Sequence, residues 1–518
     1  MIKKADKVVL NTIILYIKMI ISVILTLVST RLVLSSLGAT DYGIFNLLAG
    51  VIAMLSFLNV SMTIATQRFF SFYLGVGDEK KLKNIYVSSL LLHFLFGLCI
   101  VIILEFMSLF LFDGFLNIPA ESITQAKYIY QFMVVSVFFT ITVVPYDAII
   151  NAYEDMTVLA VFGIAESLGR LLAALSLVYV FSDNLLRWYG LLFAIVTILV
   201  SVFKRLYCHS KYLILKKIDW KVDKILLKEL FSFGSWNLFG TMCGIARNQG
   251  SAVVLNVFFG PTINAAYGIA NQLNGQLSSF ASNMTTSIYP QIVKSEGAGE
   301  RARFVNLTMV SSKFSFFIWC VIVLPLIPNL DFILNLWLGT VPAYTTLFCQ
   351  LIIALSLVLS LTSGIQIAIQ AMGQIKIYQF VIGLINLFVP IGGIVFFLYT
   401  SQFPYMILLI MLILEIVAGY FRLYFFCLYS GVSKLKYANI VLIPCILISL
   451  VVFLILFCFC SFEVCCTPLI KITLSYLLGT SVLLFLLSKF ALTNYEKKKL
   501  LELFDSFSLK ICNHFGRK

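Results

Sequence analysis

The chain has 518 residues, of which 61% are hydrophobic and only 12% are charged, and its mean hydropathy is +1.01. Soluble domains carry about 25% charged residues, so this composition excludes an ordinary soluble protein and predicts a polytopic membrane protein. The net charge of +14 would suggest nucleic-acid binding in a soluble protein, but basic loops on the cytoplasmic side of a membrane account for most of it, so we expect no nucleic-acid partner.

The apolar segments predict an all-α fold, because a membrane helix needs about 20 apolar residues. Polar positions, glycines and prolines divide the chain into fourteen segments: 8–35, 43–74, 84–112, 124–151, 156–182, 188–214, 226–259, 263–293, 303–328, 342–372, 375–400, 404–430, 437–461 and 469–491. The first segment has basic residues before it, as a signal peptide does, but no small-residue cleavage site follows it. We therefore interpret it as the first membrane helix.

The distribution of basic residues tests this segment count. If the N-terminus is cytoplasmic, most of the 37 Lys and Arg fall in connections on the cytoplasmic side, as the positive-inside rule requires. A wrong helix count would destroy this alternation. The sequence thus predicts fourteen membrane helices, with both termini in the cytoplasm.

An internal repeat relates the two halves of the chain. Leu37-Gly38-Ala39-Thr40 recurs 222 positions later as Phe259-Gly260-Pro261-Thr262, and Gly75-Val76-Gly77-Asp78 recurs at the same offset as Gly297-Ala298-Gly299-Glu300. Segments one to six therefore match segments seven to twelve, and an even number of helices gives both copies the same orientation. Such parallel repeats are typical of transporters.

The repeat and the charged connections predict five regions. They are an N-terminal six-helix bundle at 1–214, a basic cytoplasmic linker at 215–228, a second six-helix bundle at 229–430, two extra membrane helices at 431–493, and a cytoplasmic tail at 494–518. The tail has an apolar helical face, which is typical of a helix on the inner membrane surface. A solvated, partly disordered tail is the alternative.

No motif in the chain indicates catalysis. It lacks a phosphate-binding Gly-Lys-Ser/Thr loop, a zinc-protease HExxH pattern and a nucleophile-elbow serine. The chain is therefore predicted to be no enzyme and to need no cofactor or metal. The cysteines at 458, 460, 465 and 466 are spaced poorly for zinc; Cys465 and Cys466 form a disulfide in one interpretation, and all four are packing residues in the other.

Charged residues at membrane depth are the candidate functional residues, because each costs about 2.5–3.5 kcal/mol on insertion scales. Polar and cationic side chains follow single faces of segments one, two, seven and eight. The predicted substrate-binding residues are Lys18, Arg31, Arg68, Arg247, Asn248, Asn271 and Asn274. In one interpretation they line a water-filled, cationic cavity that favours an anionic substrate. In the alternative, Lys18 and Arg31 reach the interface or pair within the bundle.

The acids at membrane depth have two interpretations. Asp147 and Glu415 are candidates for binding a coupling proton or sodium ion, and the alternative is that each is only the partner of a nearby cation. Arg422 lies two helical turns after Glu415. Glu166 and Arg170 are spaced as i and i+4 on one helix, which predicts a structural ion pair.

Three stretches resemble polysaccharide exporters of the Wzx O-antigen flippase type. They are Arg31 with Leu34 and Leu37-Gly38 before Asp41-Tyr42-Gly43-Ile44, then Gln67-Arg68-Phe69, and the connection Asn151-Ala152-Tyr153-Glu154-Asp155-Met156. This family belongs to the superfamily of the lipid II flippases and the multidrug and toxin extruders. The resemblance covers essentially the whole chain. Lipid II flippases have arginines on their first two helices and in the second half, whereas helix one here has Lys18 at its centre and the arginines do not match position by position.

The resemblance implies two six-helix bundles forming a V, with helices 1, 2, 7 and 8 facing the cavity. It implies a substrate, an undecaprenyl-pyrophosphate-linked oligosaccharide turned from the inner to the outer leaflet by alternating access. Membrane lipids, a polysaccharide polymerase and chain-length machinery are the implied partners. The sequence does not identify the sugars.

Two other functions compete with a flippase. The first is a cation-coupled exporter of drugs or metabolites from the same superfamily, although helix one carries no acid between Asp6 and Asp41. The second is a membrane scaffold that recruits biosynthetic enzymes through its basic segment at 204–228. A scaffold gives no reason for cations at membrane depth.

Overall fold

The computed structural model describes residues 4–53, 56–112, 122–215, 222–400, 403–461, 468–492 and Lys497. The predicted surface helix at 494–518 lies outside these residues, apart from Lys497, and so do Cys465, Cys466 and residues 216–221 of the basic linker. The N-terminal helices are α1 (Lys4–Ala53), α2 (Ser56–Val76), α3 (Glu79–Phe110), α4 (Ile123–Thr142), α5 (Val144–Ala152), α6 (Met156–Tyr179) and α7 (Leu185–Lys211).

The rest of the described chain is also helical. Its helices are α8 (Lys224–Phe259), α9 (Pro261–Gly297), α10 (Arg301–Leu326), α11 (Leu330–Leu338), α12 (Thr345–Ser360), α13 (Ser363–Met372), α14 (Lys376–Tyr399), α15 (Met406–Ser430), α16 (Lys434–Tyr437), α17 (Ile443–Ser461) and α18 (Pro468–Leu486). The predicted all-α membrane fold is confirmed.

Eleven stretches of the described chain are long and apolar enough to cross a membrane, if α12 and α13, which meet at a bend of 44°, count as one. The three predicted segments that fail this test are those formed by α8, by α9, and by α2 with the end of α1. Both α8 and α9 exceed 35 residues, so polarity rather than length separates them from the others. Together these three and the eleven account for the fourteen predicted helices.

The chain divides into two compact units. The N-terminal unit comprises residues 11–242 and 293–300, and the C-terminal unit contains the remaining described residues. In the N-terminal unit, α3, α4 and α7 enclose Tyr130, which is fully buried and donates its hydroxyl hydrogen to the carbonyl of Leu104 across 2.6 Å. Buried polar groups need such a partner because no water reaches them.

The repeat appears in the backbone as matched turns. Gly38 and Gly260 have φ angles of 75° and 82°, and Gly77 and Gly299 have φ angles of 81° and 71°. Glycine adopts this left-handed conformation without the clash that a Cβ atom creates. Each pair stands 222 positions apart, so the recurring glycines are the residues that turn the chain between corresponding helices.

The last two helices pack on α10. The hydroxyl of Tyr476 donates to the carbonyl of Ile322 across 3.0 Å, and the ammonium of Lys313 donates to the carbonyl of Ala491 across 2.9 Å. Lys313 is fully buried. Two helices outside the repeat are thus fixed to the C-terminal unit by polar contacts as well as by apolar packing.

Candidate functional site

Lys18 lies inside the N-terminal unit, on the face of α1 that packs against α6. Its side chain occupies the space that a Cβ atom at Gly163 would fill, so the absence of a side chain at Gly163 makes room for it. The half-buried ammonium interacts electrostatically with Lys204, Glu166 and Asp147. Among the described residues it forms no hydrogen bond or ion pair.

The two acids near Lys18 are each held by another cation. Arg170 pairs with Glu166 at 2.5 Å, which confirms the ion pair predicted from their spacing, and Lys204 pairs with Asp147 at 2.9 Å. Arg170 and Lys204 thus balance the charges of Glu166 and Asp147, and Lys18 is an additional positive charge. This cluster of Lys18, Asp147, Glu166, Arg170 and Lys204, the Lys18 cluster, carries a net charge of about +1 at neutral pH.

The polar stripe of α1 makes hydrogen bonds within the same unit. The side-chain amide of Asn11 donates to the carbonyl of Glu154 across 3.3 Å, and the hydroxyl of Ser29 donates to the carbonyl of Arg170 across 3.4 Å. Both residues are buried. The face that carries Lys18 is therefore a helix-packing face over much of its length.

The two other cations of the N-terminal unit have different surroundings. Arg31 is exposed. Arg68 is buried, and its guanidinium lies over the rings of Phe69, Phe72 and Phe233 at 4.8, 4.9 and 5.3 Å from their centroids. Cation–π contacts stabilise a charge most where water is excluded. Arg68 is thus bound into the packing of the unit, whereas Arg31 is accessible.

A second polar cluster lies in the C-terminal unit, around Glu415 of α15. Its two carboxylate oxygens accept from Arg247 of α8 across 2.9 Å and from Arg422 of α15 across 2.5 Å. Arg247 also donates to the side-chain oxygen of Asn386 across 3.2 Å, and Arg422 donates to the hydroxyl of Thr362 across 3.3 Å. These five residues, the Glu415 cluster, hold two positive charges and one negative charge.

Local backbone features bring these residues together. A Cβ atom at Gly250, one turn after Arg247, would lie 3.1 Å from Pro390, so only a glycine lets α8 approach α14 this closely. Pro390 has no N–H to bond the carbonyl of Asn386 one turn earlier. Thr362 stands at the bend between α12 and α13, beside the helix carrying Arg422.

Exposure differs sharply within the Glu415 cluster. The side chains of Glu415 and Arg422 are 2% and 4% exposed, whereas that of Arg247 is 15% exposed. A guanidinium has five N–H groups. Those on Nε and Nη1 of Arg247 face Asn248, Asn386 and Glu415, and the two on Nη2 have no acceptor among the described residues. Arg247 is therefore held in place on one side and available on the other.

The predicted asparagines lie on α8 and α9. Asn248 is exposed, Asn271 donates to the carbonyl of Tyr267 one turn earlier, and the side-chain oxygen of Asn274 accepts from Ser356 across 2.8 Å. Asn271 and Asn274 are half-buried. An amide has two donors and two acceptor sites, so each retains capacity for a further partner.

Three polar residues of the described spans, Lys204, Asn386 and Lys313, were not singled out in the sequence. A charge within a segment long enough to span a membrane is the signal that identified Lys18, and it applies to Lys204 and Lys313 but not to the uncharged Asn386. Glu166 and Asn386 are each the eleventh residue of their helices, α6 and α14, which correspond in the repeat. Both lie near a cation of the first helix of their own half.

Neither cluster offers a metal centre. Among the described residues, no three His, Cys, Asp or Glu side chains converge as ligands. His93 is buried in α3, where its Nδ1 lies 2.8 Å from the carbonyl of Ser89. The chemistry available at the Glu415 cluster is therefore electrostatic and hydrogen-bonding, and it suits an anion.

Solved structures of transporters share this fold. An outward-facing multidrug resistance MATE family transporter of the MOP superfamily superposes with a TM-score of 0.69 at 14% identity, over 82% of this chain and 95% of that one. A MOP superfamily transporter from Pyrococcus furiosus Vc1 (DSM3638), described as having a binding pocket of reverse polarity, gives a TM-score of 0.68 at 15% identity, over 82% and 95%.

A third structure, MATE in the bent conformation, gives a TM-score of 0.68 at 15% identity, over 83% of this chain and 96% of that one. At such identities the likeness concerns the fold alone. No curated protein matches the chain in sequence. The polysaccharide biosynthesis protein family model matches residues 6–296, more than half of the chain, and the protein belongs to that family.

Proposed function

We propose that this protein is a flippase that moves an undecaprenyl-pyrophosphate-linked oligosaccharide across the bacterial inner membrane by alternating access, for O-antigen or capsule synthesis. Membership of the polysaccharide biosynthesis family and a transporter fold support this proposal. A flippase catalyses no covalent step, which suits a site built only of charges and hydrogen-bonding groups. The substrate, its carrier lipid and the inner-membrane location belong to the proposal.

The observation that carries the proposal is the half-satisfied guanidinium of Arg247. A pyrophosphate must lose much of its water to cross hydrocarbon, so it needs fixed positive charge at membrane depth. The two N–H groups on Nη2 remain available to donate charge-assisted hydrogen bonds to phosphate oxygens, and Glu415 and Asn386 hold the guanidinium in place. The Glu415 cluster keeps a net positive charge, so the anion is attracted rather than repelled.

The polar helices α8 and α9 supply partners for the sugars. Asn248, Asn271 and Asn274 carry amides with unused hydrogen-bonding capacity, and amides bind sugar hydroxyls through both donors and acceptors. The high polarity of α9 is costly in contact with lipid and is accounted for by a wet cavity. These asparagines are therefore proposed to contact the oligosaccharide.

The cations of the N-terminal unit have graded roles in this proposal. Lys18 supplies positive charge from the Lys18 cluster. The accessible Arg31 meets the anion near the outer end of the first predicted membrane segment, 8–35. Arg68, enclosed by three aromatic rings, acts on the substrate only through its long-range field. Asp147 and Glu415 are each neutralised by cations, so we assign them to positioning rather than to ion coupling.

Variants tested in cells and in vesicles can decide the proposal. In a strain whose chromosomal gene is deleted, Arg247→Ala should abolish surface polysaccharide and cause the complete lipid-linked oligosaccharide to accumulate, while membrane levels of the protein stay normal. Gln249→Ala is the matched control, because Gln249 is an exposed, uncharged neighbour on α8. The same protein in vesicles should move a labelled polyprenyl-pyrophosphate glycan between leaflets, and full activity of Arg247→Ala would reject the proposal.

A cation-coupled exporter of drugs or metabolites is the second candidate function. The observation that favours it is the fold, since the similar solved structures include a multidrug resistance transporter. Deletion of the gene would then raise sensitivity to cationic drugs and leave surface polysaccharide and the lipid-linked pool normal. A proton or sodium gradient would also be required, and replacing Asp147 by Asn would abolish export.

The proposed flippase works between other proteins. An enzyme that completes the lipid-linked unit must act on the cytoplasmic side, and a polymerase with its chain-length machinery must consume the unit on the other side. Consumption of the product outside favours net outward movement without an ion gradient. Both termini of the chain are proposed to be cytoplasmic, on the distribution of Lys and Arg.

A further inference from the structure

A cavity of about 400 Å³ opens in the N-terminal unit. Leu90, Leu91 and Phe94 of α3 and Phe138 of α4 form its apolar wall, and Thr142 and Arg205 form its polar end. Its volume lies within the range of small-molecule sites, about 300–1,000 Å³. Among its described lining residues, the cavity thus combines a long hydrocarbon surface with one cation, Arg205.

The apolar wall and the polar end of the cavity lie at different heights along the helices. Thr142 is the last residue of α4, whose span continues through α5 to Ala152, and Arg205 lies in the last two turns of α7, so the polar end lies toward the C-terminal ends of these two spans. Phe138 precedes Thr142 by one turn, and Phe94 lies four turns into α3. The distribution of lysines predicts that these termini face the cytoplasm. The apolar wall therefore extends from the polar end toward the middle of the membrane.

Arg205 pairs with no acid in the part of the chain that the structure describes. Its Nη2 donates to the hydroxyl of Thr142, and its guanidinium lies over the rings of Phe139 and Tyr146 at 5.5 and 5.9 Å. The Nε atom is buried without an acceptor, and among the described residues no carboxylate pairs with this arginine. The carboxylate of Asp147 already pairs with Lys204, the residue that precedes Arg205 in the chain. An unpaired guanidinium of this kind calls for an external anion.

The cavity opens on the surface that meets lipid. Phe94 is 50% exposed, and Leu95 and Leu98 on the same helix are exposed as well, which is the pattern of a helix surrounded by hydrocarbon. Val222, at the polar end, is also exposed. A molecule that lies in the bilayer can therefore enter from the side, with its chain against α3 and its head group at Arg205.

We propose that this cavity binds one anionic phospholipid from the surrounding leaflet. One acyl chain lies along Leu90, Leu91 and Phe94, and the phosphodiester accepts hydrogen bonds from Arg205 and approaches Thr142. Basic pockets between membrane helices bind anionic head groups in this way. A single guanidinium matches the single negative charge of a phosphodiester.

Charge complementarity separates this lipid from its competitors. Among the described residues that line the cavity there is neither aspartate nor glutamate, so the ammonium of a zwitterionic phospholipid finds no carboxylate among them. A pyrophosphate carries more negative charge than one arginine neutralises. The proposed lipid site does not rest on the proposed function.

Lipid binding to the purified full-length protein tests this proposal. The protein is delipidated in a mild detergent and titrated with phosphatidylglycerol, phosphatidylethanolamine or a polyprenyl phosphate, and native mass spectrometry counts the bound lipids. Phosphatidylglycerol should bind at one site at least about tenfold more tightly than phosphatidylethanolamine, because the ammonium of phosphatidylethanolamine lies beside the like charge of Arg205. Arg205→Met should remove this preference.

Two further variants keep the test independent of folding. Leu90→Trp fills the cavity but keeps Arg205, and it should lose the phosphatidylglycerol site while thermal unfolding without added lipid stays the same. Lys80→Met, on the exposed first turn of α3, is the charge-matched control and should bind as the unaltered protein does. Equal binding of both phospholipids, or unchanged binding of phosphatidylglycerol to Leu90→Trp, would overturn the proposal. Tighter binding of the polyprenyl phosphate than of phosphatidylglycerol would also overturn it and would assign the cavity to a carrier lipid.

Discussion

Glu415 accepts a hydrogen bond from Arg247 across 2.9 Å, although the two residues lie 168 positions apart on different helices. The same carboxylate binds Arg422, so one negative charge holds two positive ones within the C-terminal unit. Each buried charge costs several kcal/mol to desolvate, and only mutual pairing offsets that cost. The triad therefore fixes α8 against α15 and leaves one positive charge in excess.

The carboxylate of Glu415 is the member whose loss should destabilise the protein most. In Glu415→Leu, Arg247 and Arg422 keep their charges without a partner, and we expect a loss of about 3–5 kcal/mol in the free energy of unfolding. The double variant Glu415→Leu/Arg422→Leu removes one of these orphaned charges and should regain about 0.5–3 kcal/mol relative to additivity. The coupling is measured by denaturant unfolding, in detergent micelles, of the unaltered protein, Glu415→Leu, Arg422→Leu and the double variant. Strictly additive losses would show that Glu415 and Arg422 do not interact.

Arg247→Lys should separate anchoring from substrate binding. An ammonium is one point charge, so it pairs with Glu415 or reaches the substrate, but it does not do both as the fork of Arg247 does. We expect thermal unfolding close to that of the unaltered protein and an apparent substrate affinity weaker by about 10- to 100-fold, the value of one charge-assisted hydrogen bond. Vesicle flipping assays at varied substrate concentration give this number. Unaltered affinity would reduce Arg247 to a point charge.

The repeat could be predicted from sequence because it depends on local backbone rules. Gly38 with Gly260, and Gly77 with Gly299, were identified as recurring residues, and each adopts the positive φ angle that excludes other side chains. The ion pair of Glu166 with Arg170 follows from helical spacing alone. Such features require no knowledge of which helices are neighbours in space.

The partners of the buried cations could not be predicted from the sequence, because they depend on which helices are neighbours in space. The stripe of α1 was predicted to line a cavity, but whether Lys18 faces water or a neighbouring helix depends on packing, and it lies against Gly163 of α6. Likewise, Asn386 reaches Arg247 only because α14 approaches α8 at Gly250. Periodicity finds a polar face, but it does not tell what that face meets.

Gly250→Ala should weaken the contact between α8 and α14. The added methyl group would lie 3.1 Å from Cβ and 3.2 Å from Cγ of Pro390, which is tighter than ordinary packing. Gly244→Ala on the same helix meets no atom within 4 Å and should stabilise the protein by up to about 1 kcal/mol through helix propensity. We expect Gly250→Ala to lose this gain and to reduce flipping, because Asn386 moves away from Arg247. Equal stability of the two variants in thermal unfolding would contradict the close approach.

Gly75 and Gly297 form the tightest helix contact that the repeat produces. A Cβ atom at Gly75 would overlap the carbonyl of Lys294, and one at Gly297 would overlap the carbonyl of Phe72, so the ends of α2 and α9 touch through their backbones. Backbone cannot move aside as a flexible side chain does, and overpacking typically costs about 1–3 kcal/mol. We therefore expect both Gly75→Ala and Gly297→Ala to lower the free energy of unfolding by at least about 1 kcal/mol, and Gly275→Ala, which meets no atom within 4 Å, to leave it the same or higher. Thermal unfolding in detergent ranks the three variants. A stabilising effect at Gly75 or Gly297 would mean that the two helix ends are separated in the protein as it exists in solution.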